Sequence, residues 1–278
     1  MGLEVVGFTG GEAGLHPQFE ELVSQTVSRG LRFSIVSNGF DAGLYEDLLD
    51  RYRQSVSHLT FSVDSHKAAI HDALRCPGSF GHVVEAVRHF ASDGFDVRVS
   101  LCLGRRNGRG LRRYVRFVES LGASTIRFLS VIPNGRNEDL LLTDRQRETC
   151  HRTIRRLRRS TDCGVQVMSS LKTRSQIAFC DALDLECLGI TPAGEVLFCC
   201  DLTAEGGVLG SLRAQPLTEL VSRGRETAEF LQEVRAGHLR TNTTYEGIDS
   251  CRFCYTWADR QPARLPERAL PHEPGHRR

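Results

Sequence analysis

The sequence predicts an α/β fold, a partial (β/α) barrel followed by a small cysteine-rich domain. Three observations carry that expectation. Short apolar runs alternate with stretches whose apolar residues recur at helical spacing, and the alternation repeats five times in the first 160 residues. Polar, glycine-bearing turns follow the early apolar runs. Seven of the ten cysteines (Cys163, Cys180, Cys187, Cys199, Cys200, Cys251 and Cys254) lie between 163 and 254, so the composition changes near 160.

The first expected strand is Leu3–Thr9, with Val5, Val6 and Phe8 apolar. It runs into Gly10-Gly11, and a helix after Pro17 places Phe19, Leu22, Val23 and Val27 on one face before Gly30 stops it. The second strand begins at Arg32, turns at Ser37-Asn38-Gly39 and leads to a helix carrying Tyr45, Leu48 and Leu49. The third, His58–Asp64, precedes a long loop and a helix with Phe80, Val83, Val84 and Val87, ended by Gly94. The fourth, Val97–Leu103, precedes a helix with Leu111, Tyr114, Val115, Val118 and Leu121. The fifth, Thr125–Ile132, ends at Pro133. The following helix, about 144–158, has Thr143 as its cap and Gln146 three positions on. Strands joined by helical crossovers pair in parallel, and right-handed crossovers curl them into an open sheet or partial barrel. Chemistry in such folds sits at the carboxyl ends of the strands.

Beyond 160 the pattern changes. Residues 164–169 and 186–199 read as strands, the latter turning at Pro192-Ala193-Gly194, and a helix is expected over about 216–235. Four of the nine prolines fall after Gln261, and residues 259–278 read as a disordered tail. The expected domains are therefore 1–160, 161–258 and the tail.

Composition excludes several classes. With 36 Lys+Arg against 34 Asp+Glu the formal charge is +2, which argues against a nucleic-acid partner. No apolar run approaches the roughly 20 residues that span a bilayer, and no secretory signal opens the chain, so the expectation is a cytoplasmic protein with no membrane partner. Ten cysteines in a reducing compartment point to metal or catalysis rather than disulfides. The arginines at 152, 155, 156, 158 and 159 read as a solvated helix face.

Two groups of residues carry chemistry. A glycine pair at a strand end lets a ligand approach the backbone closely, and the neighbouring Glu12 carboxylate can hold an ammonium group. Cys180, Cys199 and the pair Cys251/Cys254 can close a four-thiolate metal site. Cys187 is the reserve for the first position, its place in an expected strand suggesting burial. Cys200 alternates away from Cys199. Iron–sulfur and zinc both suit such a set.

Phe8-Thr9-Gly10-Gly11-Glu12, Ile35-Val36-Ser37-Asn38-Gly39, Phe61-Ser62-Val63-Asp64 and then His71-Asp72, Arg75 and Gly78-Ser79-Phe80 occur in one order. Together they resemble the radical S-adenosylmethionine (radical SAM) superfamily. The resemblance implies that Gly10, Gly11 and Glu12 hold the cofactor's amino group, that Ser37 and Ser62 touch the cofactor, and that Arg75 pairs with its carboxylate. For Ser37, Ser62 and Arg75, capping or surface roles stand as alternatives. The family's Cys-x3-Cys-x2-Cys segment has no counterpart in the 278 residues, so the expectation is a barrel missing its first strand and cluster loop.

Residues 190–199 and 210–212, with the late cysteines, resemble the SPASM or twitch extension. That likeness implies one auxiliary 4Fe–4S cluster on Cys180, Cys199, Cys251 and Cys254. By resemblance the complete enzyme uses S-adenosyl-L-methionine to generate a 5′-deoxyadenosyl radical. The radical abstracts hydrogen from a peptide or small-metabolite substrate, with an electron donor protein as partner. The alternative is a non-catalytic iron–sulfur or zinc-binding protein derived from that fold.

Overall fold

The computed structural model describes residues 3–131, 137–160, 164–170, 187–199 and 207–241. They belong to two units, one drawn from 1–131 and 139–171 and the other from 132–138 and 172–278.

The first unit is a six-stranded parallel sheet in strict sequence order: β1 (Val5–Phe8), β2 (Arg32–Ser37), β3 (Val56–Ser62), β4 (Val97–Leu103), β5 (Thr125–Ser130) and β6 (Gln166–Ser169). Between them run α1 (Phe19–Ser28), α2 (Glu46–Arg51), α3 (Ala68–Leu74), α4 (Ser79–Ser92), α5 (Leu111–Ser120) and α6 (Asp144–Arg159). Alternation sends Phe33 and Ile35, Leu59 and Phe61, the odd-numbered residues of β4, and Ile126 and Phe128 to the helix side. There they share a core with Val23, Val83, Val87, Phe90, Val115 and Val118. Each such side chain contributes about 1.5–3 kcal/mol on full burial, so this layer sets the register of the whole sheet. The opposite face carries the even-numbered residues of β2, β3, β4 and β6 (Ser34, Thr60, Ser62, Arg98, Ser100 and Gln166 among them) and the odd-numbered Thr125, Arg127 and Leu129 of β5.

Five expected strands and their helices are present with bounds close to those read from sequence. The Thr143 cap is also as expected: its hydroxyl accepts from Gln146 N at 3.3 Å, and the Gln146 side chain accepts from Thr143 N at 3.0 Å. Three features differ. The expected loop after β3 contains α3, a single short helix whose Asp72 carboxylate accepts from Gly78 N (3.0 Å) and Phe80 N (2.8 Å), tying it to the start of α4. The strand expected over 164–169 was assigned to the region beyond 160. As β6 it pairs in parallel with β5, so the first unit runs past that boundary. Among the described residues β1 pairs with β2 alone.

The second unit contains an antiparallel three-stranded sheet, β7 (Gly189–Ile190), β8 (Glu195–Leu197) and β9 (Val208–Ser211), followed by α7 (Leu217–Thr241). The hairpin turns where expected, with Gly194 N donating to Thr191 O at 2.8 Å and Gly194 at φ +85°. Strand β9 is absent from the sequence-based expectation, because it is only four residues long and offers little of the period-two pattern. The residues expected as a tail, 259–278, lie outside the described residues.

Candidate functional site

Strand β1 ends at Phe8, and Gly10 turns the chain at φ +131°, in the region that L side chains rarely adopt. An added Cβ at Gly10 or Gly11 would meet nothing within 4 Å, so open space adjoins the glycine pair. Glu12 follows as the cap of a 3₁₀ turn, Ala13–Leu15. Its Oε2 accepts from Asn38 N at 3.0 Å. Its Oε1 accepts from the Tyr45 hydroxyl, which in turn accepts from Gly14 N at 3.1 Å. Burial and the Glu12 carboxylate push the Tyr45 pKa up, so the phenol stays a donor. The carboxylate is thereby fixed between the carboxyl ends of β1 and β2, and each oxygen retains acceptor capacity for a further donor.

Ser37 and Ser62 lie on opposite faces of the sheet. Ser37 is registered with Phe61, not with Ser62. It is buried among Ile35, Tyr45, Leu49, Leu59, Phe61 and Phe90, and its hydroxyl accepts from Gly39 N at 3.0 Å. It therefore makes the turn-capping contact that stood as its alternative. Ser62, half-buried at the end of β3, faces away from the helices beside Ser100.

Arg75 ends α3 and donates from Nε to Asp64 Oδ2 at 2.7 Å. Asp64 is the centre of a network that sequence reasoning did not single out. Its Oδ1 accepts from Cys102 N (3.0 Å), and its own N donates to His71 Nδ1 (3.1 Å). Asn107 Nδ2 donates to the carbonyls of Asp64 and Cys102, both at 2.9 Å. The Tyr114 hydroxyl donates to Val63 O at 2.7 Å. These bonds splice the carboxyl ends of β3 and β4 and fix the residue beyond Ser62. His71 is fully buried. With Nδ1 accepting, it is the Nε2–H tautomer, and burial lowers its pKa, so it is neutral. Asp64, His71 and Arg75 stand in the ordered motifs of the sequence, but nothing in the sequence joins them into a network. Asn107, 43 residues from Asp64, stands in none of those motifs.

Of the expected thiolate ligands, Cys180, Cys251 and Cys254 lie outside the described residues. Cys199 is half-buried just after β8. Cys187 precedes β7 and is exposed, contrary to the burial expected of it. The short strand starts three residues later than the 186 expected from the apolar pattern. Among the described residues no group of three or more His, Cys, Asp or Glu is placed to hold a metal ion.

The open glycine turn and the fixed carboxylate thus lie together at the carboxyl ends of β1 and β2, where the carboxylate can accept from a further donor. Residues 1–118 match the profile of the radical SAM superfamily. Among curated relatives, the mycofactocin maturase MftC of Mycobacterium tuberculosis (strain CDC 1551 / Oshkosh) is 29% identical over 137 residues, covering 49% of this chain and 34% of that protein. The AdoMet-dependent heme synthase of Nitratidesulfovibrio vulgaris is 25% identical over 138 residues, covering 49% of this chain and 37% of that protein. The matched stretch thus spans about a third of these relatives' length.

The fold is shared with Streptococcus suis SuiB bound to S-adenosylmethionine (TM-score 0.63, 11% identity, covering 78% of this chain and 54% of that one). It is also shared with anSMEcpe with bound AdoMet and Kp18Cys peptide (TM-score 0.61, 13% identity, covering 88% and 74%). The residues present fit S-adenosylmethionine at one end: a carboxylate for its ammonium, and room beside two glycines. They supply no Cys-x3-Cys-x2-Cys set for a radical SAM cluster.

Proposed function

We propose that this chain supplies the S-adenosylmethionine-binding part of a radical SAM enzyme of the SPASM/twitch type that acts on a peptide. The observation that carries the reading is the Glu12 carboxylate, held by Asn38 N and Tyr45 beside the open Gly10-Gly11 turn. When bound and reductively cleaved, the cofactor supplies a 5′-deoxyadenosyl radical for hydrogen abstraction. The chain's own residues bind and orient it. Glu12 takes the ammonium, the glycines admit it, Ser62 contacts it from β3, and the guanidinium of Arg75, steadied by Asp64, faces its carboxylate. Ser37 acts through the turn it caps.

A peptide substrate is supported by the maturase relative and by the structural neighbour with bound peptide. One auxiliary 4Fe–4S cluster on Cys180, Cys199, Cys251 and Cys254, an electron donor protein and a cytoplasmic setting complete the reading. A non-catalytic iron–sulfur or zinc-binding protein derived from the same fold is the second reading.

Calorimetric titration with S-adenosylmethionine tests the first reading. Glu12→Gln is expected to weaken binding at least tenfold, and no binding to the unaltered chain overturns the proposal. Anaerobic reconstitution with iron and sulfide tests the auxiliary site. Iron uptake with a thiolate-to-iron absorbance lost in Cys251→Ala supports it, while stoichiometric zinc without iron uptake rejects it.

A further inference from the structure

The sheet face opposite the helices is polar and ordered in rows. Val36, Thr60, Arg98, Thr125 and Gln166 stand in register across five strands, and Ser62, Ser100, Arg127 and Met168 form the next row toward the carboxyl ends. The cations on this face differ in what answers them. Arg98 donates to Asp96 Oδ2 through Nε (3.1 Å) and Nη2 (2.8 Å). Arg32, at the amino end of β2, donates from Nη2 to Val56 O at 3.2 Å. Arg127 is exposed, and its side chain makes no hydrogen bond or ion pair with any described residue. Nearby His58 is half-buried, and burial together with Arg98 and Arg127 lowers its pKa to about 4, so it adds no charge at neutral pH.

We propose that Arg127 anchors a carboxylate of the substrate on the sheet face opposite the helices, in the same row as Ser62 and two strands from it. The inference rests on the reading of Ser62 as a cofactor contact, which makes this row the floor beside the cofactor. Two interstrand steps of about 4.8 Å put the Arg127 backbone roughly 10 Å from Ser62. A substrate held at Arg127 therefore lies alongside the cofactor rather than on it. A guanidinium fork matches a carboxylate through two parallel hydrogen bonds. One cation without a carboxylate opposite it suits a single negative charge, which favours a carboxylate over a phosphate dianion.

The test titrates the full chain with glutarate at low ionic strength and follows the His58 ring resonances, with sodium chloride of matched ionic strength as control and inorganic phosphate as second probe. Glutarate is expected to give a saturable shift and to raise the His58 pKa above about 4. Arg127→Gln should weaken that binding at least tenfold, and Arg127→Lys should restore part of it. Because Arg127 is exposed, both variants should keep the parent's thermal unfolding profile. A shift reproduced by sodium chloride, or unchanged in Arg127→Gln, overturns the proposal. Tighter binding of phosphate than of glutarate overturns the carboxylate assignment. S-adenosylmethionine binding is measured separately on each variant. Its unchanged affinity in Arg127→Gln is expected, and its absence in the unaltered chain counts against the proposed function while the glutarate titration still decides the role of Arg127.

Discussion

Glu12 and Asp64 show how single carboxylates gain a role from what surrounds them. Glu12 accepts from a backbone amide and a phenol and retains acceptor capacity, as a ligand-binding group should. Asp64 is spent on structure. Both of its oxygens are engaged inside the first unit, one by Arg75 and one by Cys102 N. Asp64→Ala strands a guanidinium and a strand-end amide, and should cost about 2–3 kcal/mol in urea denaturation. A loss below about 1 kcal/mol would mean that solvent replaces these contacts.

His58 gives a pH dependence with a definite sign. Its folded pKa is about 4 against an ordinary 6.5. Between these values the unfolded chain binds a proton that the folded chain refuses, so stability is full above pH 6.5 and is lost as pH falls toward 4. For this half-buried ring, screened by solvent, the loss is about 1–2 kcal/mol. His58→Gln should remove that part of the slope when unfolding is compared at pH 7 and pH 5.

Among the elements, α6 shows sequence and structure in agreement. Thr143 and Gln146 form reciprocal bonds at its start, and Cys150, Ile154 and Leu157 fall on its buried face. Thr143→Ala leaves the Gln146 amide without its partner and should lower stability by about 1 kcal/mol, measured by chemical denaturation. The turn after β2 is more demanding. Gly39 has φ +72°, and a Cβ there would meet Val83 Cα at 2.9 Å. Gly39→Ala therefore combines backbone strain with a clash against α4. It should cost more than the Thr143 cap and lower S-adenosylmethionine affinity as well, because Asn38 N, which holds Glu12, precedes it.

At the scale of the whole molecule, the sheet of the first unit is most secure at its centre. Strands β3 and β4 are paired on both sides and covered by Val83, Val87 and Phe90 of α4, whereas among the described residues β1 is paired on one side and its residues are partly exposed. Native-state hydrogen exchange should therefore find the slowest amides in β3 and β4 and markedly faster ones in β1. Equal protection of β1 and β4 would show that another segment or chain covers that edge.

All strands but β9, most helices, the hairpin turn at Gly194 and the capping box were legible in the sequence because each is local: a period of two or 3.6, a glycine at a stop, a hydroxyl three residues before its partner. The Gly10-Gly11-Glu12 turn was legible for the same reason, since a glycine pair and a carboxylate at a strand end are chemistry written in consecutive residues. What only the tertiary structure decided depends on side chains far apart in the chain. Helix α3 is held by Asp72 contacts to the next helix. Ser37 and Ser62 part company because pleat and register assign them to opposite faces. Asp64 becomes a splice because Arg75, Cys102 and Asn107 are carried to it by separate elements. Arg127 becomes distinctive only when register lines it up with Ser100 and Ser62 and leaves it without the carboxylate that Arg98 has. Local propensity fixes where elements begin and end, but which side chains meet is set by the packing of the sheet against its helices.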